Sequence, residues 1–414
     1  VRGRQIVRRD SDGAEVEREH GDALLAIERF AARHGHVLDT AAPTTEPPPW
    51  PRVMGYLGYE LARHVEALGP RRDDDDLATI PDAWLGAYPA VMRWPRRAGR
   101  DEPGELVGDA AAVEALRRHL ERGDHAPGPA PRFGPLVGAP DDRAAHLARV
   151  AAARAYIEAG DVYQVNLARR LQAAMDAPGD GAAVLAALLA EAPASYAAMI
   201  EADGTTVLSG SPELFIATGP HRYVVTRPIK GTRARGATLA ADAEARLELT
   251  RAPKDHAEHV MIVDLERNDL GRVAEIGSVV VERLAYGVDL PQVHHLVSSI
   301  RAQLRPSVGL AELLRATFPG GSITGAPKVR ALQIIDELEA APRGPYCGAI
   351  GYFGADGQLC LSIAIRIATL TSQALHVHVG GGIVADSDPR AEFDETEAKA
   401  AGWRQTLARL AAGR

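Results

Sequence analysis

The chain has 414 residues, 46% of them hydrophobic, with 47 basic against 55 acidic side chains, a formal charge of -8 and a pI near 6.0. That length and apolar content support a large core, in two or three lobes or one large sandwich, and the net negative charge offers no general attraction for nucleic acid or anionic membranes. No window approaches the roughly 18 apolar residues that span a bilayer, the N-terminal VRGRQIVRRDSDG lacks a signal-peptide core, and the two cysteines, Cys347 and Cys360, fit neither a disulfide framework nor a zinc pattern, so a cytoplasmic location is expected.

In chain order, the first segment is mixed and includes MGYLGYELARHVEALG at 54–69. Arg71 and Arg72, followed by Asp73 to Asp76, cancel one another and read as a solvated loop. From 95 to 140 the sequence is rich in Pro and Gly around one short helical run, Ala110 to Arg122, which places a boundary between an N-terminal region, 1–140, and a larger domain, 141–414. A helix is predicted over 142–159, stopping at Gly160, and the strand VYQVNLARRL follows. Strand-like runs TTVLSG, LFIAT, RYVVTRPI, GSVVVERL, CLSIAIRIATL and ALHVHV then mix with helical runs beginning at Lys254, Lys328 and Arg390. The strands arrive as hairpins, so the fold class expected is α+β with large, mostly antiparallel sheets covered by helices.

Lysine occurs only at 230, 254, 328 and 399, and Lys230 stands between isoleucine and glycine in TRPIKGTR, a placement that suggests a chemical role. FPGGSITGAPKVR is not a P-loop, because Ala326 stands where the loop lysine belongs and Pro327 removes an amide. It reads either as an ordinary capped helix start or as a loop offering backbone N–H groups to an anion, with Pro327 in the first helical turn. Gly380–Gly382, after LHVHV, lacks dinucleotide spacing and marks either a bulge or a close approach of backbone to ligand. Asp388 caps a helix whose Glu392, Glu395 and Lys399 fall on one stripe, either a surface ion pair or a site for a hard cation. Glu258 enters an apolar helix and needs a partner or a metal. Glu213 begins a strand after a Ser-Pro turn, and Arg366, placed mid-strand, is paired with a buried carboxylate or waits for one on a ligand.

VYQVNLARR, SPELF, TRPIKGTR, AEHVMIVDLERNDLGRV, VHHLVSS, FPGGSITGAPKVRALQIIDELE, GPYCGAIGYF, SIAIRI, GGGIVADSDP and EFDETEAK, in that order, resemble the chorismate-utilising enzymes across about 150–400. The resemblance implies a sandwich of two large sheets with helices outside. PIKGT is similar to the aminodeoxychorismate synthase component I branch, whereas anthranilate synthase component I usually has alanine at the position of Lys230. It thereby implies amination of chorismate to 4-amino-4-deoxychorismate for para-aminobenzoate and folate synthesis, with Lys230 as nucleophile, Glu213 as proton donor and His295 orienting the 4-hydroxyl. It further implies Mg²⁺ held by Glu258 and Glu395 with Glu392 close by, and substrate contacts from Gln164, Gly231, Thr232, Thr324, Tyr346, Arg366, Gly380, Gly381, Gly382 and Lys399. Gln164 lies where water-adding relatives carry lysine, which argues against water addition. Cys347 is not in a glutaminase turn, so ammonia is expected from a separate glutaminase subunit. The rival expectations are an anthranilate synthase component I and a non-catalytic chorismate-binding regulatory subunit.

Overall fold

Alternation along the strands decides which side of the pleat each residue occupies. In Thr205–Ser211 and Ile367–Leu370, Val207 and Ile367 enter one apolar cluster while their neighbours Leu208 and Ala368 enter a second. The computed structural model describes residues 1–38, 50–70, 77, 80–94, 104–123, 128–355 and 357–412; the Arg71–Asp76 run lies outside them. Among the described residues the strands form an eight-stranded and a nine-stranded sheet, antiparallel throughout, beside two small hairpins.

The eight-stranded sheet runs in the order Tyr196–Ala202, Thr205–Ser211, Ile367–Leu370, Ala374–Ile383, Gln164–Ala177, Gly325–Ala326, with Arg132–Phe133 and Val137–Gly138 also paired to the Gln164 strand. The nine-stranded sheet runs Ile229–Ala234, Val293–Gln303, Tyr223–Arg227, Leu214–Thr218, Leu359–Ile363, Ala349–Gly354, Pro51–Leu57, Ala83–Ala87, with Val280–Asp289 on the other side of Val293–Gln303. Both sheets feed one core, Val165, Leu167 and Ile383 from the first meeting Val53, Ile216 and Ile300 from the second. The far face of the eight-stranded sheet is covered by the helices Gly181–Glu191 and Pro389–Ala412 through Val184, Leu188, Ala400 and Trp403. The expected α+β sandwich is thus the architecture found. Strands from before residue 140 are built into it: Tyr56 pairs with Ile350 and Leu85 with Gly55.

Three local expectations change. RYVVTRPI is two strands, Tyr223–Arg227 and Ile229–Ala234, because Pro228 has no N–H for the ladder. The run CLSIAIRIATL is not one strand either. It leaves the nine-stranded sheet at Ile363, turns through Ala364–Arg366 and re-enters the eight-stranded sheet at Ile367, with Arg366 at φ 50. Arg366 therefore sits at a corner between sheets, not mid-strand. Finally, Gly380–Gly382 lies inside the strand Ala374–Ile383 in unbroken register with Ala168, Leu167 and Asn166, so it is not a bulge. On that strand's other side the partner pairs no further than Val377, which leaves the glycine edge open.

A second crossover lies beside the first. Thr205–Ser211 belongs to the eight-stranded sheet and Leu214–Thr218 to the nine-stranded one, so Pro212 and Glu213 carry the chain across. The two corners are bonded together: Ile363 N–H donates to the Glu213 carbonyl at 3.1 Å and Gly210 N–H to the Arg366 carbonyl at 2.9 Å.

Candidate active site

The corner fixes Glu213 in the interior, 4% exposed. Ser322 Oγ donates to its Oε1 at 2.7 Å, and the Ile229 N–H also reaches the carboxyl. Burial outweighs these bonds and the pull of Lys230, and pushes the Glu213 pKa up to about 7. A carboxylic acid in that range still holds a proton near neutrality and can give it away.

Lys230 lies in the strand Ile229–Ala234, half-buried. Burial lowers the pKa of its amine; Glu258, Glu213 and Glu395 act against that shift, and Lys399 adds to it. The four charged groups that act on this amine come from three parts of the chain more than 100 residues apart at the extremes, so the fold brings the predicted acid, nucleophile and two predicted metal ligands to one place. The next residue must be glycine: Gly231 has φ +80, and a Cβ there would stand 2.8 Å from Leu249 Cδ1.

His295 is buried, its Nδ1 2.9 Å from Thr232 Oγ1, and its Nε2 has no hydrogen-bond partner among the described residues. Burial and then the charge of Arg366 lower its pKa to about 4, against a hydrogen bond to the Gly231 backbone, so the ring is neutral at pH 7. Arg366 is itself partly desolvated, which lowers its pKa from the usual arginine value. Tyr346 stacks on His378 at 5.3 Å, and its hydroxyl would be 3.1 Å from a Cβ at Gly380.

The stripe on Pro389–Ala412 forms as expected, with Asp388 accepting the N–H groups of Arg390 and Ala391 as a cap. Lys399 Nζ bonds Glu395 Oε1 at 2.7 Å, the surface-pair geometry, and also donates to the Gly380 carbonyl at 2.6 Å, which ties the helix to the open glycine edge. Glu392 is buried and accepts from Ser387 Oγ at 2.5 Å. A Cβ at Gly381 would lie 3.3 Å from Glu392 Oε2 and 3.6 Å from Glu395 Oε1, so the bare glycine gives both carboxylates room.

Among the described residues no three His, Cys, Asp or Glu side chains close around a point as a metal cage would. Glu258, Glu392 and Glu395 are thus not a self-sufficient set. The donors nevertheless suit Mg²⁺, which takes one or two carboxylates, keeps several waters and binds substrate oxygens, rather than sitting in an all-protein cage.

Thr324 is fully buried and its hydroxyl donates to the Gly320 carbonyl at 2.9 Å, so that donor is spent inside its own loop. The loop's contribution to the site is Ser322. Pro327 is the residue before the helix Lys328–Leu338 rather than in its first turn, and Gly325–Ala326 pairs with Val165 and Gln164. Gln164 is fully buried, its amide against Gly382.

Two groups escaped the sequence reading. Ser322 lay within a motif read only for its backbone. Glu266 is buried on the helix Pro253–Gly271, accepts from Thr226 Oγ1 at 2.8 Å, and burial and then Glu213 raise its pKa well above the usual range. The buried positions His259, Ile262, Val263, Glu266 and Leu270 fall at helical spacing, which is the signal that marks Glu266 as inward-facing.

Beneath the site, fully buried Arg343 donates twice to Glu339 at 2.8 and 2.7 Å and once each to the carbonyls of Ile323 and Asn166. Its backbone N–H bonds Glu60, and its guanidinium lies over the Tyr59 ring at 4.5 Å. Arg343→Met is expected to cost about 3–5 kcal/mol in urea unfolding by stranding Glu339, and the double change with Glu339→Met is expected to recover much of that loss.

Residues 10–404 match the family profile of the chorismate binding enzymes. The chain is 40% identical over 410 residues to anthranilate synthase component 1 of Streptomyces coelicolor, covering 92% of this chain and 76% of that protein. It is 41% identical over 374 residues to aminodeoxychorismate synthase component 1 of Klebsiella aerogenes, covering 85% and 77%. Its structure resembles anthranilate synthase component I of Streptococcus pneumoniae with a TM-score of 0.78 at 28% identity, over 97% of this chain and 89% of the other. The menaquinone-specific isochorismate synthase of Escherichia coli shares the fold, with a TM-score of 0.71 at 20% identity over 94% and 83%. The chain belongs to the chorismate binding enzyme family.

Proposed function

We propose that this chorismate-binding enzyme aminates chorismate at C4, as the synthase subunit that makes 4-amino-4-deoxychorismate from ammonia delivered by a glutaminase partner. One observation carries the reading: the amine of Lys230, its pKa lowered by burial, shares an enclosure with Glu213, whose pKa is pushed up to about 7. A neutral amine beside a protonated acid is the pairing that displacement of a hydroxyl requires.

The Lys230 Nζ lone pair forms a bond to C2, the two ring double bonds shift toward C4, and the C4–O bond breaks. Glu213 gives its proton to the departing oxygen, which leaves as water, while Lys230 becomes a secondary ammonium. Ammonia then bonds to C4, the C2–N bond breaks and Lys230 recovers its neutral amine. The new C4 ammonium gives up one proton, which restores Glu213. Neutral His295 offers Nε2 to the 4-hydroxyl, and Arg366 and Tyr346 offer donors to a substrate carboxylate. Glu258 and Glu395, with Glu392 close by, would hold Mg²⁺. When bound, that ion supplies charge neutralisation for a substrate carboxylate.

The second reading is anthranilate synthase component I, favoured by the similar identity to the Streptomyces coelicolor protein. Purified protein incubated with chorismate, Mg²⁺ and an ammonium salt discriminates them. A product converted to para-aminobenzoate only after a lyase is added is expected; direct appearance of fluorescent anthranilate would refute the proposal.

A further inference from the structure

On the helix Pro389–Ala412, Phe393, Thr396 and Ala400 form a buried stripe, and Glu392, Glu395 and Lys399 each stand one residue earlier, so the two stripes lie about 100° apart around the axis. Apolar packing is non-directional and does not by itself choose the roll of a helix. Arg169, on the strand Gln164–Ala177 and 3% exposed, supplies a directional contact. Its Nε donates to Thr396 Oγ1 at 2.7 Å, one terminal nitrogen to Glu397, and the other to Asp142 at the start of the helix Asp142–Glu158. The guanidinium also lies 4.5 Å over the Phe393 ring, and Thr396 Oγ1 donates in turn to the Phe393 carbonyl at 2.7 Å. Arg169 thus grips the residues that follow Glu392 and Glu395 in sequence. It stands opposite Val379 in the ladder, and the adjoining rung is Ala168–Gly380, whose Gly380 carbonyl accepts from Lys399. Two neighbouring rungs of one ladder therefore hold the helix.

We propose that Arg169 is a positioning residue that sets the roll of this helix and, with it, the affinity of Glu392 and Glu395 for Mg²⁺; the inference rests on the reading of those carboxylates as ligands of the ion. A roll of the helix swings both carboxylates sideways together. Mg²⁺ takes few protein carboxylates and demands near-octahedral geometry, so it tolerates little of that motion. The planar fork of arginine suits the task, because it meets acceptors on two helices at once and lays a flat face on Phe393, which a lysine ammonium cannot do. The sign of the effect separates position from charge. Removing a nearby positive charge would by itself tighten a cation site, so a loss of affinity on removing Arg169 comes from misplaced carboxylates and not from the altered field.

The test is titration of the purified protein with Mn²⁺ as the probe ion, read by loss of the free-ion electron paramagnetic resonance signal, with chorismate saturating and ammonia withheld. Arg169→Met is expected to raise the Kd for Mn²⁺ at least about tenfold, the usual effect of a partner that orients a metal ligand. Thr396→Val, which keeps shape but removes the acceptor of the Nε bond, is expected to raise it about fivefold, the worth of one hydrogen bond. Trp403→Phe loosens the buried face of the same helix without touching the fork; it should lower the urea midpoint and leave the Kd within about twofold. In turnover with ammonium chloride, saturating Mg²⁺ should return kcat of Arg169→Met to within about twofold of wild type. An unchanged or tighter Kd in Arg169→Met and Thr396→Val, or an equal rise in Trp403→Phe, would overturn the proposal. Should Arg169→Met not fold, Thr396→Val decides alone. Wild-type protein that binds no Mn²⁺, or binding that survives Glu395→Gln at full strength, would instead defeat the ligand reading and the proposal with it.

Discussion

Lys230→Ala is expected to lower kcat for amination by at least about 10³-fold at saturating ammonia, and to abolish the chorismate adduct that mass spectrometry should find on the wild-type protein when ammonia is withheld. The reason is specific to the amine. Its pKa is lowered by burial against the opposing pull of Glu258, Glu213 and Glu395, so a usable neutral fraction exists below the ordinary lysine value. The activity limb that reports this group should rise with pH as the amine loses its proton. Lys230→Arg keeps the positive charge and loses the nucleophile, and it should be as inactive as alanine. Substantial turnover by the arginine variant would mean that position 230 acts through its charge, and the covalent step would have to be abandoned.

Glu213→Gln should lower kcat by about 10²–10⁴-fold, the range for loss of a positioned general acid, and the alkaline limb of the pH profile, where activity falls as a group near 7 loses its proton, should disappear. Stability should move the other way. Unfolded, the carboxyl ionises at its ordinary 4.5; folded, it holds its proton up to about 7. As pH climbs between those values the unfolded state loses its proton first, so the folded state is progressively disfavoured, and below 4.5 the penalty is absent. At pH 8 the penalty reaches roughly 3 kcal/mol, an upper bound from the size of the shift. Glu213→Gln should accordingly be more stable than wild type at pH 8 and gain nothing at pH 4. A variant equally destabilised at both pH values would show that the carboxyl is a packing element and not a strained acid.

The sheets were legible because strands such as Thr205–Ser211 are short β-rich runs that arrive as hairpins, and the stripe of Glu392, Glu395 and Lys399 was legible because helical spacing and the Asp388 cap define it. What the sequence concealed was where strands stop. SIAIRIATL has strand-like apolar residues on both sides of Arg366, so nothing local reveals that Ala364 is anchored to Cys347 and Gly348 and forces the turn that carries Arg366. For the same reason Gly380–Gly382 was read as following a strand when its partner, Asn166–Ala168, holds it inside one. Ser322 was invisible because its significance is tertiary: it meets Glu213 across more than 100 residues.

Pro51–Leu57, near the beginning of the chain, is an interior strand whose neighbour on one side is Ala349–Gly354. The long stretch of chain between these two strands must therefore leave the ribosome before that seam can close, and until then the earlier strand waits with that side of its ladder unfilled. Such late, long-range pairing slows folding and leaves sticky edges exposed, so production in cells should depend on chaperone supply more than the final stability of the protein would suggest.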